Sequence, residues 1–127
     1  MREILFRGKR TDFNRWIEGY LYRLSEKLNP FIMIKNEGGT AFEVIPETVG
    51  QYTGLTDKNG KKICEGDILR YTIDGDVYIY VCFWDDGNCE FGLKNEKRDF
   101  GLAYAPHDKE IIGNIHDNPE LLKGGEG

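Results

Sequence analysis

The chain has 127 residues, of which 39% are hydrophobic and 31% charged, and its formal net charge is −5. This length suits a single domain that can bury a core without disulfide or metal staples. No stretch approaches the roughly 20 apolar residues of a membrane helix, and the opening turns charged at Arg7, directly after Ile4, Leu5 and Phe6. We therefore expect no secretory signal, no membrane association and a location in the cytoplasm.

Charge is distributed unevenly along the chain. Residues 1–35 carry a net charge of +4, and residues 36–127 carry −9. An acidic chain is a poor general binder of nucleic acid, because that affinity comes mainly from the release of phosphate counterions. The basic N-terminal third leaves a local nucleic-acid patch open. A solvated face with a self-complementary charge arrangement is the alternative interpretation.

The three cysteines, Cys64, Cys82 and Cys89, are odd in number and have no CxxC spacing. A disulfide framework or a closed zinc site is typical of paired, closely spaced cysteines. We therefore expect reduced thiols, no metal site and no other cofactor. Cys82 lies in an apolar run, where a thiol acts as a small hydrophobic side chain.

The N-terminal segment shows strand-like alternation. Ile4 and Phe6 predict a first strand, residues 16–22 (WIEGYLY) predict a second, and residues 8–14 predict the turn between them. Residues 31–34 (FIMI) predict a third strand. A turn signal at residues 36–39 (NEGG) separates it from a further strand at residues 41–44 (AFEV).

The middle of the chain is rich in turn chemistry. Pro46 favours the start of a short helical or 3₁₀ turn, and the pair Asn59-Gly60 predicts a tight turn with positive φ. Asp67 is expected to accept bonds from nearby backbone N–H groups and so fix its turn. Four glycines fall within seventeen positions of this segment: Gly50, Gly54, Gly60 and Gly66. We expect them to form the corners of a barrel. The alternative is a loop that lets a ligand approach the backbone, although no GxxxxGK[ST] or GxGxxG motif is present.

The clearest strand is the run of residues 77–84 (VYIYVCFW), which is β-branched and aromatic almost throughout. The dipeptides Asp74-Gly75 and Asp86-Gly87 predict turns on either side of it. Further strands are expected at residues 89–93 and 110–116, after a charged excursion at 94–99, and a helical turn is expected at 119–122. Short strands joined by Gly-bearing turns favour a small barrel or roll.

The predicted fold is therefore mainly β with little helix. We expect one domain over residues 1–122, in which N-terminal strands (1–44) pack on a small SH3-like barrel (45–118). The Gly-rich residues 123–127 have nothing to bury and are expected to form a flexible tail.

Three segments together resemble the YopX-like family of small phage and prophage proteins. They are MREILFRG at residues 1–8, VIPETVGQYTGLTDKNGKKICEGDI at 44–68 and IIGNIHDNPELL at 111–122. The resemblance spans nearly the whole chain in family order. It implies a phage or prophage origin, the cytoplasm of the host cell as the location, and a mainly β fold with a barrel-like part. It implies no reaction, because the family has no established catalytic or binding residues.

The strand at residues 77–84 also supplies the candidate binding site. Alternation along a strand gives it two faces. We expect the face of Val77, Ile79, Val81 and Phe83 to be core. The opposite face would carry an aromatic patch with an acidic rim, which has the anatomy of an interaction surface. The predicted patch consists of Tyr78, Tyr80, Trp84, Asp76, Asp85 and Asp86. It would bind a protein partner or close a homo-oligomer.

Residues 84–87 (WDDG) are also similar to the turn of Tudor-like barrels, in which aromatic side chains cage a methylated cation. Such a cage would use Tyr71, Tyr78, Tyr80, Phe83 and Trp84.

Two other classes of function stay open. Basic residues interleaved with aromatic ones suit single-stranded nucleic acid through stacking, and the N-terminal segment offers Arg2, Arg7, Lys9, Arg10, Phe13, Arg15 and Trp16. A metal-dependent hydrolase would use the Asp-rich turns around the clearest strand. No residue is assigned a catalytic role, and the favoured interpretation is a non-enzymatic accessory protein that acts by binding.

Overall fold

The computed structural model describes residues 4–34 and 39–123, with the side chain of Lys123 left out. Eleven strands, two 3₁₀ turns and one short helix make up this part of the chain. The strands are β1 (Phe6–Lys9), β2 (Trp16–Tyr22), β3 (Phe31–Ile34), β4 (Ala41–Glu43), β5 (Gly50–Thr56), β6 (Lys62–Cys64), β7 (Asp67–Ile73), β8 (Asp76–Asp85), β9 (Glu90–Lys94), β10 (Asp99–Gly101) and β11 (Glu110–Asn114). The 3₁₀ turns are Pro46–Thr48 and Leu102–Tyr104, and the helix α1 is Glu120–Lys123. The mainly β prediction is confirmed.

The strands form two antiparallel sheets, with strand orders β4-β3-β2-β1-β5-β6 and β10-β9-β8-β7-β11. The chain divides into two compact units, one ending at Tyr52 and one beginning at Thr53. No described helix is long and apolar enough to cross a membrane.

The barrel predicted for residues 45–118 is not a closed one. Among the described residues, β10 and β11 are the two outer strands of the second sheet and do not pair with each other. Strands β5 and β6, which were predicted to belong to the barrel, follow β1 in the other sheet. The short strands and glycine turns suited a barrel, but the pairing of strands distant in sequence decided otherwise.

In the first unit, β1 to β4 form a meander, and β5 pairs with β1 on the side away from β2. Leu5, Ile32 and Val44 are fully buried. The buried Thr48 ends the 3₁₀ turn that begins at Pro46. Its hydroxyl donates to the carbonyl of Ile45 (2.6 Å) and accepts from the backbone N–H of Lys9 (2.9 Å). A buried polar group is therefore satisfied where the turn meets β1.

The turn predicted at residues 8–14 is shorter than expected. Gly8 and Lys9 belong to β1, where they pair with Ile17 and Trp16, and the turn itself covers residues 11–14. Position 8 of the strand is a glycine because a Cβ there would lie only 3.0 Å from the Val44 side chain. Its role is close packing and not turn formation.

The second unit is built on long β7 and β8 strands joined by a two-residue turn. Asp74 and Gly75 have φ of +51° and +86°, as expected for a type I′ hairpin whose twist matches the strands. The turn at Asn59-Gly60 is also confirmed, with Gly60 at φ +80°. The predicted turn at residues 36–39 lies outside the described residues except for Gly39, and the predicted tail lies outside them except for Lys123.

Two aspartates fix turns in this unit. The buried Asp67 accepts the backbone N–H of Cys64 at 2.7 Å, as predicted for a residue that closes its turn. Asp57 accepts three backbone N–H groups, from Asn59, Lys61 and Ile111. The sequence pattern did not indicate the bond to Ile111, because that residue is 54 positions away.

The core of the second unit contradicts the predicted faces of β8. The buried cluster consists of Ile63, Leu69, Tyr71, Tyr80, Cys82, Leu93 and Leu102. Tyr80 and Cys82 therefore belong to the core face, whereas Val77 is 48% exposed and the other residues of the predicted core face are only half-buried. The register explains this outcome: Tyr80 lies opposite Leu69 and Cys82 opposite Leu93. Both faces of β8 are apolar, so the strand alone does not reveal which one the other strands cover.

Candidate binding cleft

The second sheet has a notch along β8. Strand β7 pairs with β8 from Asp76 to Val81, but β9 pairs only with its second half, from Val81 to Asp85. Residues 76–80 therefore have a strand on one side only, within the part of the chain described. The β7–β8 hairpin extends beyond the β9–β10 hairpin and leaves one edge of β8 open.

The notch exists because β9 ends in a tight turn. The Asn95 side-chain oxygen accepts the backbone N–H groups of Lys97 (2.8 Å) and Arg98 (3.1 Å). The Asn95 backbone N–H donates to the Arg98 carbonyl at 3.0 Å. Such an Asx-type turn reverses the chain at once. The Asn95 amide also donates to the carbonyl of Ile79 at 3.4 Å, which ties the turn to β8.

A cleft of about 530 Å³ occupies this notch. Its lining residues come from β8 and from the β9–β10 turn: Asp76, Val77, Tyr78, Tyr80, Asn95, Lys97 and Arg98. We call this feature the β8 cleft.

The β8 cleft has stacked aromatic rings in its lining. The Tyr78 and Tyr80 rings are 6.5 Å apart and nearly parallel at 9°, and Tyr71 packs against both with centroid distances of 5.7 Å. Burial, followed by the interaction with Tyr80, raises the pKa of the Tyr71 phenol well above its usual value. The Tyr71 phenol therefore stays protonated. Because Tyr71 and Tyr80 are buried, the half-buried Tyr78 is the ring that the stack presents to the cleft.

Charged groups stand on both sides of this surface. Asp76 at the start of β8 is exposed, and so are Lys97 and Arg98 on the opposing turn. The cleft therefore carries one carboxylate on its strand side and two cations on its turn side. Such an arrangement favours a ligand with a defined orientation of charge.

The predicted aromatic patch is split by the structure. Asp76, Tyr78 and Tyr80 line the β8 cleft, but Tyr80 is only 1% exposed and forms part of the core. Trp84 is 42% exposed and lies eight residues beyond Asp76 along β8. At about 3.3 Å per residue, Trp84 is roughly 26 Å from Asp76 at the start of the strand. The six residues do not form one surface.

Trp84, Asp85 and Asp86 instead build the β8–β9 turn. The Trp84 indole N–H donates to Asp86 Oδ1 at 2.7 Å, and its ring meets Phe91 edge-on at 5.0 Å. The Asp85 carboxylate accepts from the Asn88 side chain and from the backbone N–H groups of Asn88 and Gly87. The side-chain bond from Asn88 is the largest of the causes that lower the Asp85 pKa. These groups stabilise the turn.

The five residues of the predicted aromatic cage do not converge. Tyr71, Tyr78 and Tyr80 stack on one face of the sheet. Phe83 lies on the other face, where it covers Gly92 and has the Lys94 ammonium 4.5 Å from its ring centroid. Within residues 4–34 and 39–123, no three His, Cys, Asp or Glu side chains are grouped so that they could hold a metal ion.

The predicted basic and aromatic residues of the N-terminal segment are divided between two faces of the first sheet. Arg7, Lys9 and Trp16 share one face, and the Trp16 ring centroid is 4.9 Å from the Arg7 guanidinium and 5.8 Å from the Lys9 ammonium. Arg10 lies on the opposite face, 3.9 Å from the Phe42 ring centroid, and pairs with Asp12 at 2.8 Å.

Three members of that set lie apart from these pairs. Phe13 in the β1–β2 turn is 80% exposed, and Arg15 is exposed as well. Arg2 lies outside the described residues.

The sequence pattern did not identify several residues on the Trp16 face of the first sheet and in the β8 cleft. On the first sheet, Tyr20, Tyr22 and Phe31 share the face of Trp16, and the Tyr22 and Phe31 rings stack at 5.6 Å. The alternation within residues 16–22 contained the signal for the two tyrosines. In the β8 cleft, Lys97 and Arg98 belong to the charged segment at residues 94–99, and no local sequence pattern places that segment beside β8.

The chain belongs to the YopX family, since a family model described as YopX protein matches residues 5–123. It is also similar to the crystal structure of protein EF1440 from Enterococcus faecalis. The two share 28% sequence identity over 96% of this chain and 99% of that chain, with a TM-score of 0.59. No curated protein matches the sequence.

Proposed function

We propose that this YopX-family chain is a non-enzymatic phage or prophage accessory protein that acts in the host cytoplasm by binding a protein partner. The observation that carries the proposal is the β8 cleft, which combines a tyrosine stack with opposed charges. Tyrosine and arginine are enriched among the residues that dominate protein-binding energies. The stack is preformed by the core, so little side-chain entropy is lost on binding.

Self-assembly through the same cleft is a variant of this proposal. The cleft carries both signs of charge, so a second copy of the chain could supply the complementary groups. The two variants differ in the occupant and share the site.

Site-specific photo-crosslinking tests the proposal without knowledge of the partner. Benzoylphenylalanine replaces Val77, which lines the cleft and is 48% exposed, or, as a control, the exposed Tyr104, and bacterial cells that express either variant are irradiated. We expect an adduct with another protein from position 77 that is absent from position 104. Adding Tyr78→Ala should remove the adduct, whereas adding Trp84→Ala should leave it. An adduct with a second copy alone would assign the site to self-assembly. No adduct at position 77, or the same adducts from both positions, would contradict the proposal.

Single-stranded nucleic-acid binding by the first sheet is the second candidate. The observation that favours it is the face that carries Arg7, Lys9 and Trp16 together with the exposed rings of Tyr20 and Tyr22. Aromatic rings on a sheet surface stack on unpaired bases, and nearby cations contact phosphate.

Fluorescence anisotropy with a labelled oligothymidine tests this candidate. We expect binding at low salt that weakens steeply as salt rises. The variant Tyr20→Ala/Tyr22→Ala should lose most of the affinity, and Tyr104→Ala is the matched control with an exposed tyrosine elsewhere. No detectable binding at low salt would end this candidate.

A further inference from the structure

We infer that the occupant of the β8 cleft is an extended peptide segment that adds to the sheet as a strand beside residues 76–80 and places a carboxylate next to Lys97 and Arg98. This inference rests on the proposed function, because it specifies what kind of partner the same cleft takes. Addition of a strand to an open sheet edge is a common way for proteins to recognise peptides.

The first support comes from the backbone of β8. Its residues 76–80 pair with β7 on one side, and β9 ends before reaching them on the other. The carbonyl of Ile79 points to this open side, because it accepts the Asn95 amide of the β9–β10 turn. Backbone groups alternate in direction along a strand. The N–H and C=O of Val77 therefore point to the same side and present a donor and an acceptor to an incoming strand.

The second support comes from the shape of the notch. The stretch without a second strand is five residues long, or about 17 Å at 3.3 Å per residue. The Asn95 amide covers the Ile79 carbonyl, so the outward backbone groups left for an incoming strand are those around Val77. The stretch is bounded by the Asn95–Arg98 turn at the end where β9 stops. An incoming strand would lie in line with β9, and every second side chain would face the side of the sheet that carries Tyr78 and Tyr80. Tyr78, which is half-buried and stacked on the buried ring of Tyr80, supplies an apolar contact for one such side chain.

The third support is charge complementarity. The turn that closes the notch carries the exposed Lys97 and Arg98, which line the cleft, and the exposed Glu96, which is not among the lining residues. A carboxylate on the peptide segment at this end would meet two cations, and Arg binds carboxylates in a bidentate manner. At the other end of the open edge, Asp76 and the hairpin residue Asp74 disfavour an acidic side chain. The preferred segment is therefore acidic at one end and apolar at alternate positions.

Selection from a random twelve-residue peptide library against the full chain tests the inference. We expect enriched peptides that carry Asp or Glu together with β-branched or aromatic residues. Their affinity should fall at least tenfold in Tyr78→Ala and in Lys97→Glu/Arg98→Glu. It should be unchanged in Lys94→Glu, which reverses a charge on the other face of the sheet.

The backbone contact is tested separately on the best peptide. N-methylation at every second residue should lower its affinity at least tenfold, and N-methylation at the residues between them should not. Binding should also slow hydrogen exchange of the Val77 amide. On the protein side, Val77→Pro removes that N–H and should abolish binding, whereas Val77→Ala, which keeps the N–H, should bind.

The possible failures are distinguishable. If Tyr78→Ala and Lys97→Glu/Arg98→Glu weaken binding but every N-methylated peptide binds as well as its parent, strand addition is wrong and the cleft remains a binding site. If a cleft-dependent dimer forms and the peptides do not compete with it, the occupant is a second copy. If the library yields no peptide whose binding depends on Tyr78 or Lys97, the extended-peptide inference falls, and the crosslinking experiment at the cleft then decides whether the proposed function falls as well.

Discussion

Replacement of Asp57 by alanine removes one carboxylate that accepts three backbone hydrogen bonds. Oδ1 accepts the N–H groups of Asn59 and Lys61, both at 2.9 Å, and Oδ2 accepts the N–H of Ile111 at 3.0 Å. The first two bonds close the turn after β5, and the third holds that turn to β11. The side chain is thus a clamp between two distant segments of the second unit.

The expected loss of stability follows from the surroundings of these bonds. Asp57 is only 6% exposed, and a hydrogen bond to a charged group is worth about 1.5–3 kcal/mol. Asn59 and Lys61 are exposed, so water replaces much of what their N–H groups lose. Ile111 is half-buried and loses more. We expect Asp57→Ala to lower the free energy of unfolding by about 2–4 kcal/mol. Asp57→Asn should lower it by about 1–2 kcal/mol, because the amide keeps one acceptor oxygen.

The same contacts set the pH dependence. Burial alone would raise the pKa of Asp57, but the N–H groups of Ile111, Lys61 and Asn59 outweigh it, and the net pKa lies below its usual value. A carboxylate with a lowered folded-state pKa stabilises the protein above its unfolded pKa of about 4, and this stabilisation is lost as the pH falls through the folded-state pKa. The gap in unfolding free energy between wild type and Asp57→Asn should therefore be complete at pH 7 and shrink below about pH 4.

Urea unfolding followed by circular dichroism at pH 7, 5 and 3 measures these differences. Asp99→Asn, an exposed carboxylate on β10, is the control and should change stability by less than about 0.5 kcal/mol. An Asp57→Ala variant as stable as the control would refute the clamp. A gap to Asp57→Asn that is constant from pH 7 to pH 3 would refute the pH argument.

Four further substitutions have expected outcomes. Tyr80→Ala should lower the free energy of unfolding by about 3–5 kcal/mol because it empties a core position, while Trp84→Ala should lower it by less than about 1.5 kcal/mol. Urea unfolding of both variants measures these losses, and equal losses would contradict the assignment of Tyr80 to the core. Gly19→Ala would bring a Cβ to 2.0 Å from the Met33 carbonyl oxygen, so we expect a loss of about 3 kcal/mol or more and collapsed amide dispersion for the first unit; a native spectrum would show that the strands separate easily. Gly75→Ala forces a side chain into φ +86° and should lower the unfolding free energy by about 1 kcal/mol, whereas no change in the denaturant midpoint would mean that the turn rearranges.

Local turn chemistry was predictable from the sequence. Asp74-Gly75 and Asn59-Gly60 specify turns with positive φ because few other residues tolerate that backbone. Pro46 sits at the start of a 3₁₀ turn as expected, since its fixed φ suits that position. Asp67 closes its turn through the backbone N–H of Cys64. Each of these outcomes depends on a few neighbouring residues, so the sequence alone contains the information.

The position of β8 as a strand was equally clear from the sequence, because residues 77–84 are β-branched or aromatic except for Cys82. That same composition left its buried face undetermined. Burial of Tyr80 depends on Leu69 of β7 and on Phe100, whose ring meets it edge-on at 5.1 Å. Neither contact is local, and no periodicity within β8 distinguishes a face that neighbours cover from one that they leave exposed.

The β8 cleft depends entirely on tertiary structure. It forms because β9 ends at Lys94 while β8 extends five residues further, and because the Asn95 turn returns Lys97 and Arg98 to the open edge. The sequence determined the strands, the turns and the charges of this region. Strand register decided that a tyrosine stack, an acidic side chain and two cations line one notch, because pairing between distant strands is settled by the packing of the whole sheet.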